Sequence, residues 1–229
     1  MFIALEGIDT CGKGTQAKIL AERYQAKLFK FPDPDSEMGK IVYAHLKKYW
    51  RVSSTGVDSP WNNGEKLAEV DAKVFQAVQL ACRLEHAEAI KAELDAGKTV
   101  IADRYTGSGI VYGGADGIDM HYLDDIQKSL PQPDLQILLD IDPEDAAERM
   151  RGRGEELDRY EAKEGFMAEV AKRYRLVWQN KAATVQRELR TVWVIVDGRK
   201  SITEVAAEII GHVKELRAFR MQDEHVSFR

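Results

Sequence analysis

Nine residues near the start of the chain leave few folds open: Gly7-Ile8-Asp9-Thr10-Cys11-Gly12-Lys13-Gly14-Thr15. Residues 1–6 before them read as a short buried strand, and residues 12–24 read as a helix with Ile19 and Leu20 turned inward. A glycine-rich loop set between a strand and a helix N-terminus is an anion site. Glycines let the backbone curl until its N–H groups converge on phosphate oxygens. The helix end adds partial positive charge. Lys13, expected in a solvent-open loop, adds a full charge near the terminal phosphates of a nucleotide. Gly7, Gly12, Lys13, Gly14 and Thr15 are therefore the candidate phosphate-binding residues. The competing reading, a glycine-rich turn with no ligand, does not account for the strand and helix on either side.

The rest of the chain alternates in the same way. Strands are expected at 27–31, 99–103, 135–141 and 191–196. Helices are expected at 37–49, 66–96, 122–130, 143–150, 166–186 and 202–220, the long 66–96 helix ending at Gly97. Strands that are apolar throughout, rather than alternating, belong in a parallel sheet covered on both faces. The fold class is α/β: a P-loop NTPase-type open parallel sheet of five strands, order 2-3-1-4-5, flanked by helices, in a single domain over 1–229. Residues 50–64 break the pattern, being polar and turn-rich yet carrying Trp50 and Trp61. They read as a surface loop, with a lid or subunit contact as the alternative. The tail from 221 to 229 is expected to fray.

Composition narrows the function classes. Hydrophobic residues at 44% and charged residues at 31% describe an ordinary globular protein. A net charge of -5 gives no reason to expect long nucleic acid or an acidic membrane as partner, so an anionic ligand needs a local basic pocket. Cys11 and Cys82 form no CxxC pair, which favours a reducing cytoplasm. The opening residues lack a basic start and are not read as a signal peptide, and no apolar run approaches the ~18 residues of a membrane span. The five histidines have no metal-ligand spacing.

Several further strings carry a resemblance. They are Glu6-Gly7-Ile8-Asp9 with Gly12-Lys13, Phe31-Pro32-Asp33, Ala81-Cys82-Arg83, Asp103-Arg104-Tyr105 with Ser108-Gly109, and Leu157-Asp158-Arg159-Tyr160-Glu161. Any one tripeptide is weak. As an ordered set over about residues 1–200, they resemble thymidylate kinases. The resemblance implies transfer of the ATP γ-phosphoryl group to dTMP, with Mg²⁺ and no covalent enzyme intermediate. Asp103-Arg104-Tyr105 also ends an expected strand, where open α/β sheets place ligands, and the planar fork of an arginine suits a dianionic phosphate. By resemblance Arg104 and Arg83 take the acceptor phosphate and Asp9 its 3′-hydroxyl. Tyr112 lies beside the sugar, where its bulk disfavours a 2′-hydroxyl. Phe31, Pro32, Ser108, Gly109, Tyr160 and Glu161 complete the acceptor side. Gly14 holds the place where a hydroxyl usually follows the lysine, a GKGT pattern that resembles adenylate kinases. Thr15 and Asp103 are the candidate metal-side groups. The family is commonly a homodimer.

Residues 149–161 are basic and glycine-containing, the composition of an arginine-bearing lid. Phosphoryl transfer needs positive charge on the migrating group and exclusion of water, and the phosphate loop has no arginine. Arg153 is the first candidate for that charge and Arg149 the second. Two departures bear on the acceptor. Pro34 stands where the family has an arginine, removing one phosphate contact. Gln79 stands where the family stacks the base on a phenylalanine. A glutamine hydrogen-bonds a base edge instead, with Phe75 one turn earlier as a substitute ring. The rival readings are a kinase for another deoxynucleoside monophosphate, modified ones included, and a P-loop switch without transfer activity. A GTPase switch is expected to carry Asn-Lys-x-Asp, and this chain has none.

Overall fold

The computed structural model describes residues 1–47, 52–53, 56–57, 70–152, 157–183 and 191–226. In chain order the elements are β1 Phe2–Glu6, α1 Lys13–Tyr24, β2 Lys27–Lys30, α2 Glu37–Leu46, β3 Val52–Ser53, β4 Gly56–Val57, α3 Ala72–Leu84, α4 Ala87–Asp95, β5 Val100–Asp103, α5 Thr106–Ala115, α6 Met120–Gln127, β6 Leu135–Asp140, α7 Pro143–Arg151, α8 Phe166–Ala183, β7 Val192–Asp197 and α9 Ile202–Val226.

The main sheet has five parallel strands in the order β2-β5-β1-β6-β7, which is 2-3-1-4-5 among its own strands. In β1, the central strand, Ile3 sits opposite Ile101 of β5 on one side and Leu135 of β6 on the other. All five residues of β1 are buried, as two covered faces require. Three helix starts follow side-chain chemistry. Ser36 caps α2 by accepting from Gly39 N, Asp71 caps α3 through Lys73 N, and Asp119 caps α6 through His121 N and Tyr122 N. The strand order leaves the C-terminal ends of β1 and β5 side by side, and the loops that follow them build the site.

Three expectations change. The 66–96 helix is interrupted, because α3 stops at Leu84 and α4 starts at Ala87. No glycine or proline marks the break. It lets His86 turn edge-on to Phe29 and Phe31, at 5.7 and 5.4 Å between centroids, and approach Asp33 at 3.1 Å. The second change is α5, a helix the sequence pattern does not announce. The third is the tail, which continues α9 as far as Val226, while the turn before it is held by Arg217 to Thr99 and Arg220 to Asp134. Within 50–64 only the short antiparallel pair β3–β4 is described, and both tryptophans lie outside the described residues. Among the described residues no helix is long and apolar enough to cross a membrane.

Candidate active site

The loop after β1 has the backbone its glycines predict. Gly7 has φ +142°, and a Cβ there would stand 2.6 Å from the Leu139 carbonyl oxygen. Gly12, at φ +101°, caps α1. Thr10 adopts φ +63° without being glycine, held by a 2.8 Å hydrogen bond from its hydroxyl to Ala146 O on α7. Lys13 departs from expectation. It is only 6% exposed, because its Nζ folds back and donates to Gly7 O at 3.0 Å and Ile8 O at 2.7 Å. The curl that aims N–H groups outward turns carbonyls inward, and the ammonium satisfies them. Gly12, Lys13, Gly14 and Thr15 border one cavity together with Asp103 and Arg104.

A second cluster meets this loop at the end of β5. Arg104, left-handed at φ +64°, donates to Gly7 O at 3.0 Å and to Asp9 Oδ1 at 2.5 Å. Its guanidinium lies 5.2 Å from the Tyr112 ring centroid, a cation–π arrangement. Tyr112 donates to the other Asp9 oxygen at 3.2 Å. Burial disfavours charge on Asp9. The Arg104 and Lys13 cations, with hydrogen bonds from Arg104 and Tyr112, outweigh it and hold the carboxyl at about 2. Burial pushes the Tyr112 phenol well up, so it stays a donor. Beneath them the fully buried Glu6 accepts from Tyr105 N at 2.8 Å and from Ser108 Oγ, fixing the turn into α5.

The acceptor cavity adjoins the loop cavity, and Asp9, Lys30, Phe31 and Arg104 border both. Pro32, Gln79, Arg83, Ser108, Tyr112 and Tyr160 border it as expected. The two acceptor arginines are separated, however. Arg104 borders both cavities, whereas Arg83 borders only the acceptor cavity. Arg83 is 3% exposed, donates to Gln79 O at 3.1 Å and has no partner for its Nε. Gly109 lies elsewhere, buried against Gln127, whose amide a Cβ would meet at 2.6 Å. Glu161 borders a neighbouring, more apolar groove and accepts from Asp158 N at 2.8 Å. Phe75 is no substitute ring, because it is buried and stacks on His45 at 3.9 Å. Tyr160 stacks on Phe166 at 4.6 Å and donates to Asp116. Burial raises the carboxyl of Asp158, which also feels the Asp9 charge.

Of the lid arginines, Arg153 lies outside the described residues. Arg149, on α7, donates to Thr10 O at 3.3 Å and Gly198 O at 3.1 Å, spanning the phosphate loop and the turn after β7. Asp103 and Thr15 share the loop cavity, and an added Cβ on Gly14 would lie 3.3 Å from Asp103 Oδ2.

Sequence reasoning missed Lys30, Tyr43, Leu46, Gln76 and Asp158 as cavity residues. Asp158 stood inside a quoted string, and Lys30 preceded another. Tyr43 and Leu46 carried only the inward period of α2, and nothing in sequence separates Gln76 from a solvated helix residue.

Comparisons with known proteins bear on the chain as a whole. The family model described as "Thymidylate kinase" matches residues 63–209. A "Probable thymidylate kinase" of Thermococcus gammatolerans is 33% identical over 224 residues, covering 94% of this chain and 96% of that one. The "Thymidylate kinase" of Schizosaccharomyces pombe is 28% identical, covering 96% and 95% respectively. The solved thymidylate kinase of Candida albicans, described as revealing the origin of broad substrate specificity, matches with TM-score 0.70 and 26% identity. It covers 94% of this chain and 92% of that chain.

Proposed function

Because this chain belongs to the thymidylate kinase family, we propose that it transfers the ATP γ-phosphoryl group to dTMP, giving dTDP, and that the residues above carry that reaction. The observation that carries the reading is the pair of adjoining cavities that share Asp9 and Arg104. A donor phosphate at the Lys13 loop and an acceptor phosphate at Arg104 face each other across that boundary. The main contribution is alignment of the two phosphates, with charge fixed where negative charge spreads.

In this reading the loop N–H groups and Lys13 hold the ATP phosphates, so Lys13 exchanges its carbonyl partners for phosphate oxygens. Arg104, oriented by Asp9, takes the acceptor phosphate. Asp9 stays ionised at neutral pH and accepts from the sugar hydroxyl, while Tyr112 closes the sugar face. Phe31 and Pro32 wall the same side, and Arg83 binds the acceptor deeper in. Arg153 supplies charge to the migrating group, and Arg149 fastens the base of the lid to the loop. The carboxylate of Asp103 and the hydroxyl of Thr15 are hard oxygen donors, the set that suits Mg²⁺ with several retained waters. When bound, that ion would offset negative charge on the donor phosphates. A single 1–229 domain and a homodimer belong to the same reading; sedimentation tests the latter.

The test is turnover with ATP and a panel of monophosphates: dTMP, dUMP, 5-hydroxymethyl-dUMP, dCMP and dGMP. The highest kcat/KM is expected for dTMP. A different preferred base would retain the kinase and replace the substrate, the second reading that Gln79 favours. No turnover with any of them would defeat the kinase assignment.

A further inference from the structure

Gln76 on α3 has the surroundings of a group built for a ligand. It is 4% exposed, and its amide nitrogen Nε2 has no hydrogen-bond partner. It borders the acceptor cavity. Buried amide groups are almost always paired, so an unpaired one calls for an explanation. The side chain is not loose. Its carboxamide carbon would lie 3.1 Å from a Cβ placed on Gly113, so α5 closes over it at a position where only glycine leaves room.

The geometry also says which part of a nucleotide lies there. Asp9, Phe31 and Arg104 border both cavities, and Gln76 borders only the one away from the phosphate loop. A monophosphate with its phosphate turned toward Lys13 carries its base toward the walls that the loop cavity lacks, and Gln76 and Gln79 are the α3 amides among them. Gln79 lies three residues further along the same helix and borders the same cavity, so the two amides share a face. Phe75, the nearby ring on α3, is occupied with His45.

Resting on the kinase reading above, we propose that Gln76 is a specificity-determining residue whose amide N–H donates to a carbonyl oxygen on the edge of the acceptor's base. With Gln79 it provides in-plane hydrogen bonding from the α3 side of the cavity, where the ring of Phe75 is taken up by His45. The acceptor class is a pyrimidine deoxynucleotide with a carbonyl at that edge, which favours dTMP and dUMP over dCMP. An amino group at that edge would meet a donor rather than an acceptor. Specificity of this kind is strong because a site that has lost its partner leaves a buried polar group unpaired.

The experiment compares wild type, Gln76→Leu and Gln76→Glu. Readouts are kcat/KM for dTMP, dUMP and dCMP at saturating ATP, and calorimetric binding of dTMP and of 2-deoxyribose 5-phosphate, which lacks a base. Gln76→Leu should lose tenfold or more in kcat/KM for dTMP and dUMP, mostly through KM, and narrow the preference over dCMP. KM for ATP and the affinity for 2-deoxyribose 5-phosphate should stay within twofold. Its Tm without ligand should hold or rise, since an unpaired buried amide has been removed. Gln76→Glu should shift preference toward dCMP. Unchanged substrate ratios would overturn the proposal. So would an equal loss for every ligand, the sugar phosphate included, together with a lowered Tm. If no monophosphate is turned over, the kinase reading fails, and the difference between dTMP and 2-deoxyribose 5-phosphate binding still decides what Gln76 does.

Discussion

Lys13 satisfies two inward carbonyls at rest, so its removal has two separable effects. Lys13→Met keeps the apolar stem and deletes the charge. We expect turnover to fall by roughly 10²–10³ or more, the scale for losing one fixed electrostatic contact. Stability should also fall, by about 1–3 kcal/mol, because Ile8 O and Gly7 O each lose a charged donor. Chemical denaturation beside steady-state kinetics separates the two, and an unchanged midpoint would show that the folded-back lysine holds nothing together. At Asp9 the sign follows from a depressed carboxyl. Its pairing with Arg104 contributes stability that is fully present above the ordinary value of 3.8 and is lost as pH falls to about 2. The stability gap between wild type and Asp9→Asn should therefore be constant above about pH 5 and close as pH falls to about 2, as acid titration followed by circular dichroism would record. For the lid, Arg153→Ala should lower kcat by as much as roughly 10³-fold. Arg149→Ala, whose partners are loop and turn carbonyls, should chiefly raise KM for ATP. A reversed pattern would exchange their roles. At this scale the loop glycines, Asp9 and Arg104 were legible because backbone curvature and phosphate chemistry demand those residue types. Gln76 was not, since an unpaired amide is defined by what surrounds it.

Element α5 shows where local pattern fails. Its sequence, TGSGIVYGGA, has four glycines in ten residues, a composition that argues against a helix. The glycines are there for their neighbours. A Cβ on Gly107 would stand 2.5 Å from the Trp178 ring and 3.0 Å from the Glu6 carboxylate, and one on Gly113 would stand 2.7 Å from Leu123. Close approach of α3, α6 and α8 outweighs propensity, and propensity is what a sequence displays. Gly107→Ala should therefore destabilise by about 1–3 kcal/mol, the usual cost of overpacking, despite alanine's advantage in helices. Gly211 in α9 has nothing within 4 Å of an added Cβ, so Gly211→Ala should stabilise by about 0.5–1 kcal/mol. Thermal unfolding of the two variants tests the contrast. Equal effects would mean that packing around α5 is not what fixes its glycines. The break between α3 and α4 was hidden for a similar reason, since His86 turns toward aromatic rings far off in sequence.

Over the whole molecule, an open parallel sheet was readable from strands alternating with helical stretches, while its order, 2-3-1-4-5, came with the phosphate-loop fold type rather than with that pattern. The placement of side chains between loops was not readable, since it depends on how β1 and β5 end beside each other. One atom at that junction has a consequence for the two substrates together. The Gly7 carbonyl oxygen accepts from Lys13 and from Arg104, each at 3.0 Å. The cation of the donor side and the cation of the acceptor side thus share one oxygen, each bonded at one of its two lone pairs. A triphosphate that draws Lys13 away leaves that oxygen to Arg104 alone, and an acceptor phosphate that draws Arg104 away leaves it to Lys13. Occupancy of either cavity then alters the resting partner of the other, which is cooperativity. Thermodynamic reciprocity requires the two affinities to change by the same factor. Binding a non-hydrolysable ATP analogue with and without dTMP, and dTMP with and without the analogue, should return one matching ratio different from unity. A ratio of one in both directions would mean that the shared oxygen transmits nothing.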